Sequence, residues 1–138
     1  DFVAVHMAWG AINELTTLTA YQRLAEIADH PVLSEILARI MRDEARHFTF
    51  MADVVGKYVR THGDSVIDPI RDVIAGFRMP LADTMRGYWR WALKIADVAS
   101  YDHTESYDHL IRVIDRAVDA RTERVDELAR FLQSCRAI

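Results

Sequence analysis

Two carboxylates and one imidazole lie on helical stripes that are otherwise apolar. Glu44 and His47 are three residues apart, so both side chains project from the same side of a helix. Glu14 lies on a similar stripe in an earlier segment. An ionised carboxylate on a core-facing stripe is costly unless it is paired or bound to a cation. Carboxylates and an imidazole that converge from neighbouring helices are typical of a site for a divalent metal ion.

The same three residues also allow an ordinary structural interpretation. A Glu-x-x-His spacing is common by chance, and this sequence contains it once, at Glu44-Ala45-Arg46-His47. Glu44 could pair with a neighbouring arginine, and His47 could be a core histidine whose hydrogen bonds are satisfied. Spacing alone leaves both interpretations open, and Glu14 on a second stripe favours the metal site.

The elements that must position these residues are helices. Apolar residues recur at helical spacing in five segments, at about 3–28, 31–60, 66–77, 81–98 and 105–132. Pro31 suits the first turn of the second helix, and Gly63 can end that helix in a left-handed conformation. The link before Pro31 is short, which predicts that the first two helices are antiparallel neighbours. We therefore expect an all-α fold in a single helical domain, 1–138.

The stripes also predict which side chains form the core. In the first segment these are Val3, Met7, Gly10, Ala11, Leu18, Tyr21, Leu24, Ala25 and Ala28. In the second segment they are Leu33, Ile36, Leu37, Ile40, Met41, Phe48, Met51 and Val55. Both sets repeat every three or four residues, as one buried face of a helix requires.

Composition excludes several classes of protein. The chain has 138 residues, 51% of them apolar, so it can bury a core and is not disordered. Five glycines and three prolines allow few turns, which argues against a β-sandwich or barrel. A net charge of −4 with interspersed signs gives no sign of nucleic-acid binding, and no apolar run is long enough to span a membrane. The lone Cys135 cannot form an intramolecular disulfide and favours a reducing compartment, so we expect a cytoplasmic protein.

Two stretches of the chain together resemble a known family. Glu14-Leu15-Thr16-Thr17, followed about thirty residues later by Arg42-Asp43-Glu44-Ala45-Arg46-His47, is similar to the second half of the soluble acyl-carrier-protein desaturases. The resemblance covers roughly residues 10–115 and is strongest over 14–50. It implies a ferritin-like helical bundle, here partial, that holds two irons. The implied activity is the oxygen-dependent introduction of a double bond into a fatty acyl chain bound to its carrier protein.

The resemblance also implies roles for individual residues. Glu14, Glu44 and His47 would be iron ligands, and Thr17 would carry the hydroxyl beside the oxygen-binding side of the cluster. Asp43 would orient a ligand imidazole. The residues themselves leave alternatives open. The Thr17 hydroxyl could bond a backbone carbonyl of its own helix, and Asp43 could pair with a neighbouring arginine at the surface.

The ligand set of that family is twice as large as the set found here. Its cluster needs four carboxylates and two histidines, whereas this chain supplies two carboxylates and one histidine. Three explanations follow: the chain is a piece of a longer protein, two copies pair about a two-fold axis, or iron has been lost. The start at Asp1 instead of Met favours the first explanation. The expected mate is therefore an N-terminal half or a second copy of the chain.

The resemblance further implies partners for the reaction. These are an acyl carrier protein that presents the acyl chain and an external electron donor such as ferredoxin. Two other functions remain open. One is a non-catalytic helical interaction module without iron, and the other is a ferritin-like oxidase or iron-handling protein that acts on small substrates.

Overall fold

Four helices make up the part of the chain that the computed structural model describes, residues 2–99. They are α1 (Phe2–Ile27), α2 (Pro31–His62), α3 (Asp64–Ala75) and α4 (Tyr88–Ala99), and these residues contain no strand. The prediction of an all-α fold is confirmed. None of the four helices has an apolar stretch of the length and purity that crossing a bilayer requires. The predicted fifth segment and Cys135 lie outside the described residues.

The first two helices form a hairpin whose ends follow the predicted signals. The His30 side chain caps α2 by accepting a hydrogen bond from the Leu33 backbone N–H at 3.4 Å, and Pro31 occupies the first turn. At the other end Gly63 has a φ of 56°, and its N–H donates to the Val59 carbonyl at 2.9 Å. Because only three residues separate α1 from α2, the two helices run antiparallel.

The core lies where α3 folds back across the hairpin. The amphipathic helix α3 buries Ile70 and Ile74 against small residues of α1 and valines of α2. This cluster consists of Ala4, Ala8, Ile12, Val55, Val59, Val66, Ile67, Ile70 and Ile74. A second cluster continues the hairpin interface toward its middle and consists of Ala11, Leu15, Phe48 and Ala52. Alanines on α1 let the two long helices approach closely.

The predicted start of the fourth helix is wrong. The helix begins at Tyr88 and not near Leu81, because two residues before it adopt left-handed backbone conformations. Leu81 has a φ of 73° and Gly87 has a φ of 75°, and consecutive turns connect them. A right-handed helix cannot pass through such residues, so α4 starts only after Gly87.

Part of the predicted core stripe on α2 is also wrong. Leu33 and Ile36 are exposed, whereas Leu37, Phe48 and Val55 are buried as expected. The reason is the position of α3, which covers the end of the hairpin far from the α1–α2 link. The N-terminal turns of α2 therefore keep an apolar side open within the described part of the chain.

Gly10 is a point of close contact between α1 and α2. A Cβ atom added there would lie 2.5 Å from Met51 Sδ, well inside van der Waals contact. We expect Gly10→Val to lower the free energy of unfolding by about 1–3 kcal/mol, since an overpacked interface forces side chains from their rotamers. Denaturant unfolding measures this change. The Met51→Ala background should restore most of the loss, and an unchanged stability of Gly10→Val would contradict this packing.

Candidate metal centre

The hairpin brings the three predicted ligands together at mid-length. Glu14 and Glu44 lie at equal chain separations from Asp29, the middle residue of the link. An antiparallel pairing of α1 with α2 therefore places them side by side. One turn beyond Glu44, His47 projects from the same side of α2, as its spacing predicts.

The three side chains are in mutual contact. His47 Nδ1 lies 3.2 Å from Glu14 Oε2 and 3.6 Å from Glu44 Oε2. One potential ligand atom from each residue lies within 4.8 Å of those from the other two. The Glu14 and Glu44 side chains are only 16% and 18% exposed, whereas His47 is 59% exposed. The carboxylates thus lie against the helix interface, and the imidazole forms the open edge of the site.

The electrostatics of the group favour a cation. The pKa of Glu44 is raised to about 7 by a hydrogen bond shared with Glu14, then by burial, then by the negative charge of Glu14. His47 opposes this shift by bonding to Glu44 and by its own charge. Two carboxylates are therefore held close enough to disfavour ionisation of both. A divalent ion between them would remove this repulsion, so the donor set is suited to such an ion.

The chemistry of the donors narrows the choice of ion. Carboxylate oxygens and an imidazole nitrogen suit first-row metals such as iron, manganese and zinc. Three protein ligands also leave coordination positions free for substrate, for oxygen or for ligands from another chain. The site can therefore support metal chemistry and not only structural metal binding.

The other two predicted residues have different surroundings. Thr17 lies one turn after Glu14 on α1, and its Oγ1 donates a hydrogen bond to the Asn13 carbonyl at 2.9 Å. This is the backbone bond that the sequence allowed as an alternative. Asp43 is exposed, and its Oδ1 accepts a hydrogen bond from Arg46 Nη1 at 3.0 Å. The roles that the resemblance implies for Thr17 and Asp43 stay predictions.

An apolar cavity of about 310 Å³ lies beside Thr17, between α1 and α4. Its wall consists of Thr16, Thr17, Ala20, Tyr21, Met79, Met85, Tyr88, Trp91, Ala92, Ile95 and Ala96. A second cavity, of about 440 Å³, shares Ala20, Tyr21, Trp91 and Ile95 with the first and continues to Ile27 and Val98. Together they form an apolar groove along α1 from Thr16 to Ile27, a rise of roughly 16 Å at 1.5 Å per residue.

Sequence reasoning did not identify this groove. It placed Tyr21 in the core stripe of the first segment. The available signal was the stripe Tyr88, Trp91, Ala92 and Ile95 at helical spacing. That stripe looks the same for a filled core and for a cavity wall, because periodicity reports the face of a helix and not what fills the space beside it.

The raised pKa of Glu44 predicts a pH dependence of stability. In the metal-free folded chain Glu44 keeps its proton up to about pH 7, whereas the unfolded chain releases it near its ordinary pKa of 4.5. The stabilisation from this proton is complete below that pH and is lost as pH rises through 7. Relative to Glu44→Gln, the wild type should therefore lose up to about 3 kcal/mol of unfolding free energy across this window.

Denaturant titrations of both proteins at a series of pH values measure the effect. Glu35→Gln is the matched control, since Glu35 is exposed on the same helix and pairs with Arg39. Its pH profile should follow that of the wild type. Parallel profiles for wild type and Glu44→Gln would refute the coupling between Glu44 and Glu14.

Comparison with known proteins identifies the family. A family model described as fatty acid desaturase matches residues 4–131. No significant match was found among curated proteins or among solved structures. The matched region includes Glu14, Glu44 and His47 and all of α2, α3 and α4. Since the match extends over most of its length, the chain belongs to the fatty acid desaturase family.

Proposed function

We propose that the chain is part of an iron-dependent, oxygen-dependent desaturase of the acyl-carrier-protein type. The observation that carries the proposal is the meeting of Glu14, Glu44 and His47 beside an apolar groove, in a chain of the fatty acid desaturase family. In this proposal the three residues hold iron, and a matching set from an N-terminal half or a second copy completes a two-iron site. The product is an acyl chain with a new double bond.

Iron bound at this site would supply oxygen activation, the chemistry needed to remove hydrogens from an unactivated methylene pair. The contribution of the protein is a fixed set of donors. Glu14 and Glu44 supply the negative charge that offsets the ion, and His47 presents Nδ1 toward both carboxylates. Glu44 must release its proton before it can bind a cation fully, so metal affinity should rise with pH.

The groove would hold the acyl chain. Its wall is almost entirely apolar, so a hydrocarbon displaces water from it favourably. Thr17 lies in this wall one turn from Glu14, which would place the reacting part of the chain near the metal ligands. The Thr17 hydroxyl proton is engaged by the Asn13 carbonyl, but its oxygen can still accept a hydrogen bond.

The groove also separates this proposal from its alternatives. A ferritin-like iron-handling protein needs access for ions and small molecules and has no use for an extended apolar wall. A non-catalytic module would have no reason to keep two carboxylates in contact, at the energetic cost that the raised pKa of Glu44 indicates. An acyl carrier protein as the source of the chain, and ferredoxin as the electron donor, belong to this proposal through the family resemblance.

Removing a ligand should abolish metal retention. We expect Glu44→Ala and His47→Ala each to lower iron affinity by well over about tenfold, because loss of even an outer-sphere partner has an effect of that size. The measurement is iron content by elemental analysis after anaerobic loading with ferrous iron and desalting. Glu35→Ala on the exposed side of α2 is the control and should retain iron like the wild type. Full iron retention in both ligand variants would eliminate the metal site.

Filling the groove should weaken the binding of an acyl chain and leave metal binding unchanged. Ala92→Phe places a ring in the wall of the cavity beside Thr17, and we expect about tenfold weaker binding of a long-chain fatty acid, or about 1.4 kcal/mol. Quenching of tryptophan emission reports the binding, and iron content should not change. Ala75→Phe, at an exposed position of α3, is the matched control. Equal affinities for the two variants would remove the groove from the substrate site.

A further inference from the structure

A lysine lines one end of the apolar groove between α1 and α4. It is Lys94, in the wall of the cavity of about 440 Å³. The other described residues that line the two cavities are apolar or aromatic residues and threonines. The cavity beside Thr17, nearer the metal ligands, has no charged side chain in its described wall. The groove therefore has a cationic end and an uncharged end.

The Lys94 ammonium lies over the wall of this groove. Its Nζ is 5.9 Å from the centre of the Trp91 ring, and Trp91 lines both cavities. The face of an aromatic ring attracts a cation, and the lysine stem can cover apolar surface. Asp97, the acidic residue of α4, lines neither cavity and forms no ion pair with Lys94 in the described part of the chain. The charge of Lys94 is therefore available to a ligand in the groove.

The cationic end and the metal ligands lie at different heights along the helices. Thr17 and Tyr88 share the first cavity, and Ile27 and Val98 share the second, so α1 and α4 run in the same direction along the groove. Lys94 follows Tyr88 by six residues on α4, a rise of about 9 Å at 1.5 Å per residue. A ligand whose polar head lies at Lys94 would therefore extend its tail along the groove toward Thr17.

We propose that Lys94 binds the carbonyl oxygen of the acyl head group and so fixes the direction in which an acyl chain lies in the groove. This inference rests on the proposed function of the groove as the acyl site. The Lys94 ammonium donates a hydrogen bond to the head oxygen, and the hydrocarbon passes Trp91 toward Thr17. An apolar wall with one charged group at one end has the composition that suits such an amphiphile.

The reverse orientation of the chain is less favourable at both ends. It would place hydrocarbon beside the Lys94 ammonium, which removes water from a charge without replacing its hydrogen bonds. The head would lie among neutral side chains near Thr17. The Thr17 hydroxyl already donates its proton to the Asn13 carbonyl, so it cannot donate to the head oxygen. Lys94 is therefore a positioning residue for the substrate and determines which part of the chain comes near the metal ligands.

Reversal of the charge at position 94 tests the proposal. Isothermal titration calorimetry measures the affinity of the complete chain for dodecanoic acid and for dodecylamine, which at pH 7 are an anion and a cation with tails of similar length. The wild type should bind the acid about 25-fold more tightly than the amine, because an exposed ion pair contributes up to about fivefold and a contact between like charges costs a similar factor. Lys94→Met should bind both ligands about equally, and Lys94→Glu should prefer the amine.

Two further variants are controls. Lys57→Glu makes the same charge change at an exposed position of α2 and should keep the wild-type preference within about twofold, since salt screens distant charges. Ala92→Phe fills the first cavity and should weaken the binding of both ligands about tenfold without changing their ratio. Circular dichroism should show the wild-type helix content in the position 94 variants, because Lys94 is exposed.

The possible failures are distinguishable. If Lys94→Glu binds both ligands with the wild-type preference, Lys94 does not bind the head, although the groove can still be the acyl site. If the wild type binds neither ligand, both this inference and the proposed function of the groove are overturned. An equal change of preference in Lys57→Glu would assign the preference to the overall charge of the chain and would also overturn the role of Lys94.

Discussion

The register of α1 against α2 is the constraint on which the candidate site depends. A slip of one helical turn is 5.4 Å, which exceeds the 4.8 Å within which the three ligand atoms lie. Two features hold this register: the three-residue link that His30 and Pro31 define, and the seating of Met51 on the bare backbone of Gly10. Alanines along the interface allow the close approach. Chemically inert residues of the hairpin interface thus determine whether Glu14, Glu44 and His47 meet.

The site places an electrostatic cost within an otherwise apolar interface. Glu14 and Glu44 are mostly shielded from water and face each other, so Glu44 holds its proton to about pH 7. Ionisable groups that are held together at a cost in folding stability are typical of a binding or catalytic site. A cation would turn the repulsion into attraction and stabilise the hairpin through the same contacts. The closeness of Glu14 and Glu44 thus accounts for the raised pKa of Glu44 and also makes the pair suitable for binding a metal ion.

Local signals in the sequence predicted the helices and the meeting of Glu14, Glu44 and His47. Pro31 and Gly63 act through backbone conformation alone, so the limits of α2 were visible without knowledge of packing. The start of α4 was not visible, because a leucine with positive φ is held by its surroundings and not by its own preference. The same limit applies to Ile36 and to the groove, since exposure depends on where α3 and α4 dock.

The central proposal for this protein is one metal ion held jointly by Glu14, Glu44 and His47. The most direct measurement is crystallography of the chain loaded anaerobically with ferrous iron, with data collected on both sides of the iron absorption edge. The account predicts an anomalous difference peak within bonding distance of Glu14, Glu44 and His47 Nδ1, with the carboxylates of α1 and α2 on the same ion. Iron bound elsewhere, or three side chains in contact around no peak, would contradict it.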